Sequence, residues 1–262
     1  MSRGTVRSKD GTAIAWYRTG DGPPLVLVHG TSADHSRWNT VLGPLTERFS
    51  VYTIDRRGRG GSGDTEPYAI EREFEDVAAV LDSIAEPVDL LGHSHGALCS
   101  LHAARLTDNI AKLVLYEPPI PVGIEIVPLD VLQRIEELLA AGDRDGAIVT
   151  FMTEIVRVPA SDLERLRSLP AWQARVAAAH TVAREERVYL SFVFDPKPFE
   201  ALKVPTLLLQ GGDSPPFLVE PINMLSRLIP NARVAVMPGQ QHAAMDTGAE
   251  IWLKEVVGFL SE

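Results

Sequence analysis

A serine flanked by glycines is the residue of this chain best placed for nucleophilic chemistry. Ser94 lies in a Gly-x-Ser-x-Gly motif at residues 92–96, directly after the apolar run at residues 88–91 and before a stretch of helix formers. This pattern predicts a buried strand, a sharp turn and a helix, with the hydroxyl lifted clear of the sheet. Glycine suits both flanking positions because a bulkier side chain would collide there. We therefore expect Ser94 to act as a nucleophile.

A serine hydroxyl needs a base that removes its proton, and the base needs an acceptor that holds it in one tautomer. Of the seven histidines, only His242 falls on a loop that follows a late predicted strand. We therefore predict that His242 is the base. The other six histidines are expected to be structural or solvated: His29, His35, His93, His95, His102 and His180.

The elements that must position these residues are short apolar runs that alternate with helical patterns. Runs typical of buried strands lie at residues 25–28, 51–54, 88–91, 110–116, 204–209 and 233–237, after two short N-terminal strands at residues 5–8 and 12–17. Helical patterns lie at residues 36–49, 67–85, 218–229 and 249–260, and after Ser94. Such alternation predicts an α/β fold with a mostly parallel central sheet flanked by helices.

One long segment interrupts this alternation. Between about residues 125 and 200 only helical patterns occur, and they follow the sixth predicted strand. An insertion at this point is expected to form a helical cap over the carboxyl ends of the strands, where open α/β sheets bind ligands. We predict a core formed by residues 1–122 and 201–262, with a cap at residues 123–200.

Composition excludes several classes of partner. The chain of 262 residues carries 25 basic and 35 acidic residues, a net charge of −10 that disfavours nucleic acid and anionic membranes. We expect a small-molecule substrate and a monomer or homodimer. The single cysteine, Cys99, rules out an internal disulfide, and the N-terminus lacks an apolar targeting run, so a cytoplasmic location is expected. No cluster has zinc-ligand spacing and no strand precedes a dinucleotide fingerprint, so neither a metal nor a cofactor is expected.

An arginine-rich and glycine-rich segment follows the strand at residues 51–54. Residues 55–62 read DRRGRGGS, which does not match the Gly-x-x-x-x-Gly-Lys spacing of a phosphate-binding loop. We expect a surface loop in which glycines permit tight turning.

Four motifs together resemble the α/β-hydrolase superfamily. They are His29-Gly30, residues 55–62, residues 92–96 and the late segment at residues 239–242, in this order and on these elements. The resemblance covers the chain outside the helical insertion. It implies an α/β-hydrolase fold with Ser94 as nucleophile and His242 as base. It also implies an oxyanion hole formed by the backbone N–H groups of Thr31 and His95.

The resemblance leaves two candidates for the triad acid. The family usually places this residue after the seventh strand, three residues beyond a glycine, where this chain has Ser214 and, one residue early, Asp213. Glu117 stands at the end of the sixth strand, where certain haloalkane dehalogenases and zearalenone-type lactonases carry their acid. Glu117-Pro118-Pro119 resembles the lactonases. Glu117 is the preferred acid and Asp213 the alternative.

The identity of the nucleophile limits the types of reaction that this site can catalyse. Dehalogenases and epoxide hydrolases of this superfamily have aspartate where this chain has Ser94, and a serine supports acyl transfer through a covalent acyl-enzyme. Together with the apolar helices of the cap, this predicts a hydrolase of a carboxylic ester or lactone with a small to medium hydrophobic substrate. The alternatives are a carbon–carbon bond hydrolase or perhydrolase on the same triad, or a non-catalytic ligand-binding protein on a hydrolase scaffold.

Overall fold

An eight-stranded sheet forms the centre of the molecule. The computed structural model describes all 262 residues. The strands are β1 (Ser2–Arg7), β2 (Ala13–Thr19), β3 (Pro24–Val28), β4 (Ser50–Ile54), β5 (Val88–His93), β6 (Ile110–Tyr116), β7 (Thr206–Gly211) and β8 (Ala232–Met237). They pair in the order β1-β2-β4-β3-β5-β6-β7-β8. Only the pairs that involve β1 or β2 are antiparallel, so the prediction of a mostly parallel sheet is confirmed.

Helices cover both faces of this sheet and one of its ends. They are α1 (Asn39–Thr46), α2 (Ile70–Asp82), α3 (His95–Ala103), α4 (Leu129–Ala140), α5 (Arg144–Thr150), α6 (Ala160–Ser168), α7 (Ala171–Ala177), α8 (Val182–Val188), α9 (Pro216–Leu228), α10 (Ala244–Thr247) and α11 (Ala249–Leu260). Helices α1 and α11 pack on one face, and α2, α3 and α9 pack on the other. None of the helices combines the length and apolarity needed to cross a membrane.

The central strands are continuous apolar runs because both of their faces are covered. In β3, Leu25 and Leu27 contribute to the apolar core beneath α1 and α11, whereas Val26 and Val28 contribute to the core beneath α2 and α3. All four side chains are fully buried. Side chains alternate between the faces of a strand, so a strand with apolar residues at every position belongs in the middle of a sheet.

The segment between β6 and β7 contains helices α4 to α8 and no strand, and it lies where the sequence predicts a cap. These helices share an apolar core, with residues such as Ile135, Phe151 and Trp172, to which Phe217 and Leu218 of α9 also contribute. Helix α5 continues into a π-helical turn at Phe151–Ile155, and a short turn at Ala179–Thr181 separates α7 from α8.

The arginines of the loop after β4 are buried, so the expectation of a surface loop was wrong for them; of residues 55–62, only Gly60 and Gly61 are exposed. Arg56 and Arg57 are at most 1% exposed and Arg59 is 5% exposed. Arg56 donates two hydrogen bonds, of 2.6 and 2.7 Å, to the carboxylate of Glu73 on α2. Arg59 forms an ion pair with Glu185 on α8 of the cap. Carboxylates from sequence-distant helices therefore neutralise these arginines, and no local pattern indicates such partners.

Candidate active site

Ser94 occupies the sharp turn between β5 and α3. Its φ and ψ angles are 57° and −129°, a conformation that side chains rarely adopt, and its backbone N–H donates a 2.8 Å hydrogen bond to the Tyr116 carbonyl. A Cβ atom at Gly92 would lie 2.5 Å from the Gly96 carbonyl oxygen, and one at Gly96 would collide with the Val28 carbonyl. The predicted strand, turn and helix are all present, and glycine is required on both sides of the serine.

His242 and Glu117 are brought into direct contact. His242 Nδ1 lies 2.6 Å from Glu117 Oε2, and the backbone N–H of Gly211 donates a 2.7 Å hydrogen bond to Glu117 Oε1. The Glu117 carboxylate is fully buried at the end of β6. Because an ionised carboxylate only accepts hydrogen bonds, the proton of His242 resides on Nδ1, which leaves Nε2 free to accept another.

Asp213, the alternative acid, does not reach His242. Asp213 is exposed, and its carboxylate makes no hydrogen bond within the protein. Its backbone N–H donates a 2.9 Å hydrogen bond to the Gln240 carbonyl. Ser214, at the position where the family usually has its acid, has a buried hydroxyl without a partner. The loop after β7 thus offers no carboxylate to the histidine, and the carboxylate that contacts it comes from the end of β6.

Two side chains hold the backbone of the loop that carries His242. His93 Nε2 donates a 2.8 Å hydrogen bond to the His242 carbonyl, and the Tyr116 hydroxyl donates to the Gln241 carbonyl. The Ala244 N–H donates to the same hydroxyl at 3.1 Å. Burial and the neighbouring His242 lower the pKa of His93 well below its usual value, so His93 is neutral. The sequence indicated only a structural or solvated histidine at this position.

Ser94 and His242 line the same cavity, which lies between the sheet and the cap and has a volume of about 290 Å³. Phe151, Met152 and Leu166 of the cap form an apolar wall. Only seven of the 24 lining residues are hydrophobic, and the charged ones are Arg37, Asp162, Arg165, Arg175, Asp213 and Asp246. The cavity therefore combines an apolar wall with several charged side chains.

Two free backbone N–H groups belong to the residues that the resemblance assigns to an oxyanion hole. The Thr31 N–H, in the loop after β3, makes no hydrogen bond within the protein, and Thr31 lines the cavity next to Ser94. His95 is the first residue of α3, so its N–H has no partner within the helix and lies at the positive end of the helix dipole. The His95 imidazole points away, with Nδ1 2.6 Å from the Tyr189 hydroxyl.

A buried carboxyl group also borders Ser94, and the sequence gave no sign of it. Glu186 on α8 is 3% exposed and lines a smaller pocket that it shares with Ser94, Thr31 and Tyr189. Burial, with a contribution from the Glu185 carboxylate, raises the pKa of Glu186 well above its usual value against the opposing effect of the Thr31 hydroxyl. Burial therefore favours the protonated, neutral form of this carboxyl group.

Two clusters have the residue types of a metal site: Asp34, His35 and Asp55, and a second cluster that is wholly buried. Glu73, His95 and Cys99 offer ligand atoms within 4.8 Å of one another, and all three are buried. The Glu73 carboxylate is already paired with Arg56, and burial raises the pKa of the Cys99 thiol well above its usual value. Because a metal ligand must be deprotonated, these partners fit a neutralised ion-pair network better than a cation site.

Comparisons with known proteins agree with this geometry. A model of the alpha/beta hydrolase family matches residues 25–252. The chain is 26% identical over 257 residues to 2-(acetamidomethylene)succinate hydrolase of Mesorhizobium japonicum, which covers 92% of this chain and 89% of that protein. An alpha/beta hydrolase from Sphaerobacter thermophilus is 38% identical and superposes with a TM-score of 0.80 over 95% of this chain and 100% of its own.

An esterase from a Rhodococcus species is 25% identical, with a TM-score of 0.81 over 100% of this chain and 99% of its own. The Mesorhizobium and Rhodococcus proteins are both hydrolases by name, and only the first name states a substrate. The match of the family model spans most of the sheet, the cap and the residues described above. This chain belongs to the alpha/beta hydrolase family.

Proposed function

We propose that this protein is a serine hydrolase that cleaves a carboxylic ester or a lactone through a covalent acyl-enzyme. The observation that carries this proposal is the 2.6 Å contact between His242 and Glu117, on a loop that lines the same cavity as Ser94. A buried carboxylate that fixes the tautomer of a histidine is the support that a serine nucleophile needs.

The reaction follows from the positions of these groups. Ser94 Oγ attacks the scissile carbonyl carbon while His242 Nε2 takes its proton, and Glu117 stabilises the imidazolium that forms. The negative charge that develops on the carbonyl oxygen is met by the backbone N–H groups of Thr31 and His95. His242 then gives its proton to the leaving alkoxide. Water, activated by the same imidazole, hydrolyses the acyl-enzyme and restores Ser94.

The wall of the cavity and the comparisons support this reaction class. The apolar side chains of Phe151, Met152 and Leu166 suit an acyl group with a hydrophobic part. The Rhodococcus relative is an esterase, and the Mesorhizobium relative is a hydrolase of 2-(acetamidomethylene)succinate. A serine nucleophile and a histidine base are the minimum that hydrolysis of an activated acyl group requires.

Labelling with a fluorophosphonate tests the proposal directly. We expect the folded wild-type protein to be labelled stoichiometrically at Ser94, as located by mass spectrometry of the digested protein, because only an activated serine reacts with this reagent. The Ser94→Ala variant should not be labelled and should lose turnover of nitrophenyl esters. Ser214→Ala is the matched control and should react like the wild type. Folded wild-type protein that resists labelling would contradict the proposal.

A further inference from the structure

The cavity that contains Ser94 holds one buried charge without an ionic partner. Arg37, which is 7% exposed, forms a 2.7 Å ion pair with Asp246. Arg165 is exposed and its guanidinium contacts the Asp246 backbone carbonyl at 3.3 Å. Arg175, on α7 of the cap, is 9% exposed and has no carboxylate within 4.0 Å. Arg165 also has no carboxylate partner but is exposed to solvent, so Arg175 is the buried cation of this cavity that remains available to a ligand.

The contacts of Arg175 place it next to the loop that carries Thr31. Its Nη1 donates to the Ser32 hydroxyl at 3.2 Å and to the Ser32 carbonyl at 3.5 Å, whereas Nη2 and Nε make no hydrogen bond within the protein. Ser32 directly follows Thr31, whose N–H faces the developing negative charge in the proposed reaction. Arg175, Thr31 and Ser94 line the same cavity, so one ligand can contact the guanidinium and the serine together.

A buried arginine that has no carboxylate partner favours an anionic ligand. Burial and the repulsion from Arg37 lower the pKa of Arg175 to about 10, so it remains charged at neutral pH while it is held in an unfavourable environment. A carboxylate matches the fork of N–H donors that a guanidinium presents and forms two charge-assisted hydrogen bonds with it. The acidic residues of the cavity do not fill this role, since Asp246 pairs with Arg37, and Asp162 and Asp213 do not reach Arg175.

We propose that Arg175 binds a carboxylate of the substrate, so that the protein hydrolyses esters or lactones whose acyl group also carries an acidic group on a short spacer. This inference rests on the proposed function and narrows its substrate class. The apolar wall then receives the spacer, and Arg175 fixes the distance between the carboxylate and the carbonyl that Ser94 attacks.

Two esters with the same leaving group test this assignment. We measure kcat/KM for the nitrophenyl monoester of glutaric acid and for nitrophenyl butyrate, and express the result as the ratio of the anionic to the neutral ester. Loss of one partner of a buried charge-assisted pair should lower this ratio by about 100-fold in Arg175→Gln. Arg167→Gln is the matched control, because it removes an exposed cap arginine outside the cavity, and should leave the ratio within about threefold.

Binding without turnover separates this inference from the proposed function. Calorimetry of the Ser94→Ala protein should detect glutarate, and a second substitution, Arg175→Gln, should weaken its affinity by about 100-fold. If no ester is hydrolysed while glutarate binds through Arg175, the proposed function fails and the carboxylate site stands. If esters are hydrolysed with the same ratio in wild type and Arg175→Gln, or glutarate binds equally to both proteins, the carboxylate site is wrong and the hydrolase stands.

A third variant keeps the test valid if Arg175→Gln does not fold. Arg175→Lys keeps the positive charge but cannot form the bidentate pair, so the ratio should fall by about tenfold. Thermal unfolding, followed by circular dichroism, identifies any variant that is not folded, and Arg175→Lys then carries the test alone. An Arg175→Lys protein with an unchanged ratio and unchanged glutarate affinity would overturn the assignment.

Discussion

Glu117 owes its position to a backbone conformation that few residues adopt. Its φ angle is 48°, in the left-handed region, at the point where the chain leaves β6. Such a conformation costs on the order of 1 kcal/mol or more, and it persists only where the surrounding structure enforces it. Here the carboxylate accepts hydrogen bonds from both His242 and the Gly211 N–H. The carboxylate therefore has a fixed orientation before any substrate binds.

The role of Glu117 is testable by comparison with Asp213. Glu117→Gln keeps the shape of the side chain but removes the charge that stabilises the imidazolium of His242, so kcat for a nitrophenyl ester should fall by roughly 10³- to 10⁴-fold. Asp213→Asn is the matched control and should change kcat by less than about threefold, because its carboxylate is exposed and unbonded. The reverse order of effects would assign the acid to Asp213.

Glu186 makes stability depend on pH in a predictable direction. Its pKa in the folded protein is raised well above the ordinary value of 4.5, so the unfolded chain loses this proton first as the pH rises. The contribution of Glu186 to stability is therefore full below about pH 4.5 and is lost as the pH rises through the folded pKa. Glu186→Gln cannot ionise and avoids this loss.

We expect Glu186→Gln to raise Tm by about 3 °C or more at pH 8 and to leave it nearly unchanged at pH 4. Each unit of pKa shift is worth about 1.4 kcal/mol, and 1 kcal/mol corresponds to roughly 2–4 °C in a protein of this size. Calorimetric unfolding of both proteins measures the difference. Glu137→Gln, an exposed change on α4, should shift Tm equally at the two pH values. A Glu186→Gln protein less stable than wild type at pH 8 would contradict this account.

At the scale of elements, two adjacent strands deliver most of the site. β5 and β6 are parallel, and His93 pairs in register with Tyr116. Ser94 directly follows His93, and Glu117 directly follows Tyr116. The proposed nucleophile and acid therefore lie side by side at the carboxyl ends of these two strands. The pair His93 and Tyr116 also holds the carbonyls of the loop that bears His242. A single strand pair thus sets the distances among all three residues of the proposed triad.

A buried carboxylate on helix α8 connects the cap to the core of the fold. Glu185 on this helix is fully buried and contacts Arg56, at 3.2 Å, and Arg59. Both arginines belong to the loop after β4, and Arg56 is also held by Glu73. Burial of such a network is favourable only while every member is paired.

Glu185→Gln should therefore destabilise the protein by about 3–5 kcal/mol, which lowers Tm by roughly 10 °C. The reason is that Arg59 loses its carboxylate partner inside the protein. Urea unfolding and thermal unfolding both measure the effect. Glu136→Gln breaks the half-exposed pair between Glu136 and Arg187 on the same cap and should cost about 1 kcal/mol or less. Equal effects of the two substitutions would show that the network does not fasten the cap.

At the scale of the whole molecule, the features that the sequence predicts are those encoded by local patterns. The turn at Ser94 is indicated by consecutive residues, which are the apolar run of β5, the glycines on both sides of the serine and the helix formers that follow. The order of strands and helices follows from periodicity in the same way. The orientation of a loop carboxylate is different. Spacing alone left Glu117 and Asp213 both open, and only the path of the loops after β6 and β7 separates them.

Contacts between distant segments account for the rest. The partners of Arg56 and Arg59 come from α2 and α8, and no pattern within residues 55–62 indicates them. The cap residues that line the cavity could not be identified from the sequence, because most apolar cap residues pack against one another or against α9. A signal for Arg175 was present, since it follows Trp172 by three positions and so lies on the buried face of its helix.

The backbone conformation of Ser94 lowers the stability of the fold at the position where the proposed reaction needs a hydroxyl group. With φ at 57° and ψ at −129°, this position suits glycine better than any residue with a side chain. Selection for a stable fold alone would therefore favour glycine over Ser94, whereas the proposed reaction requires the serine hydroxyl. Ser94 directly follows β5, a strand in which every residue is buried, so this backbone strain lies next to the core of the sheet.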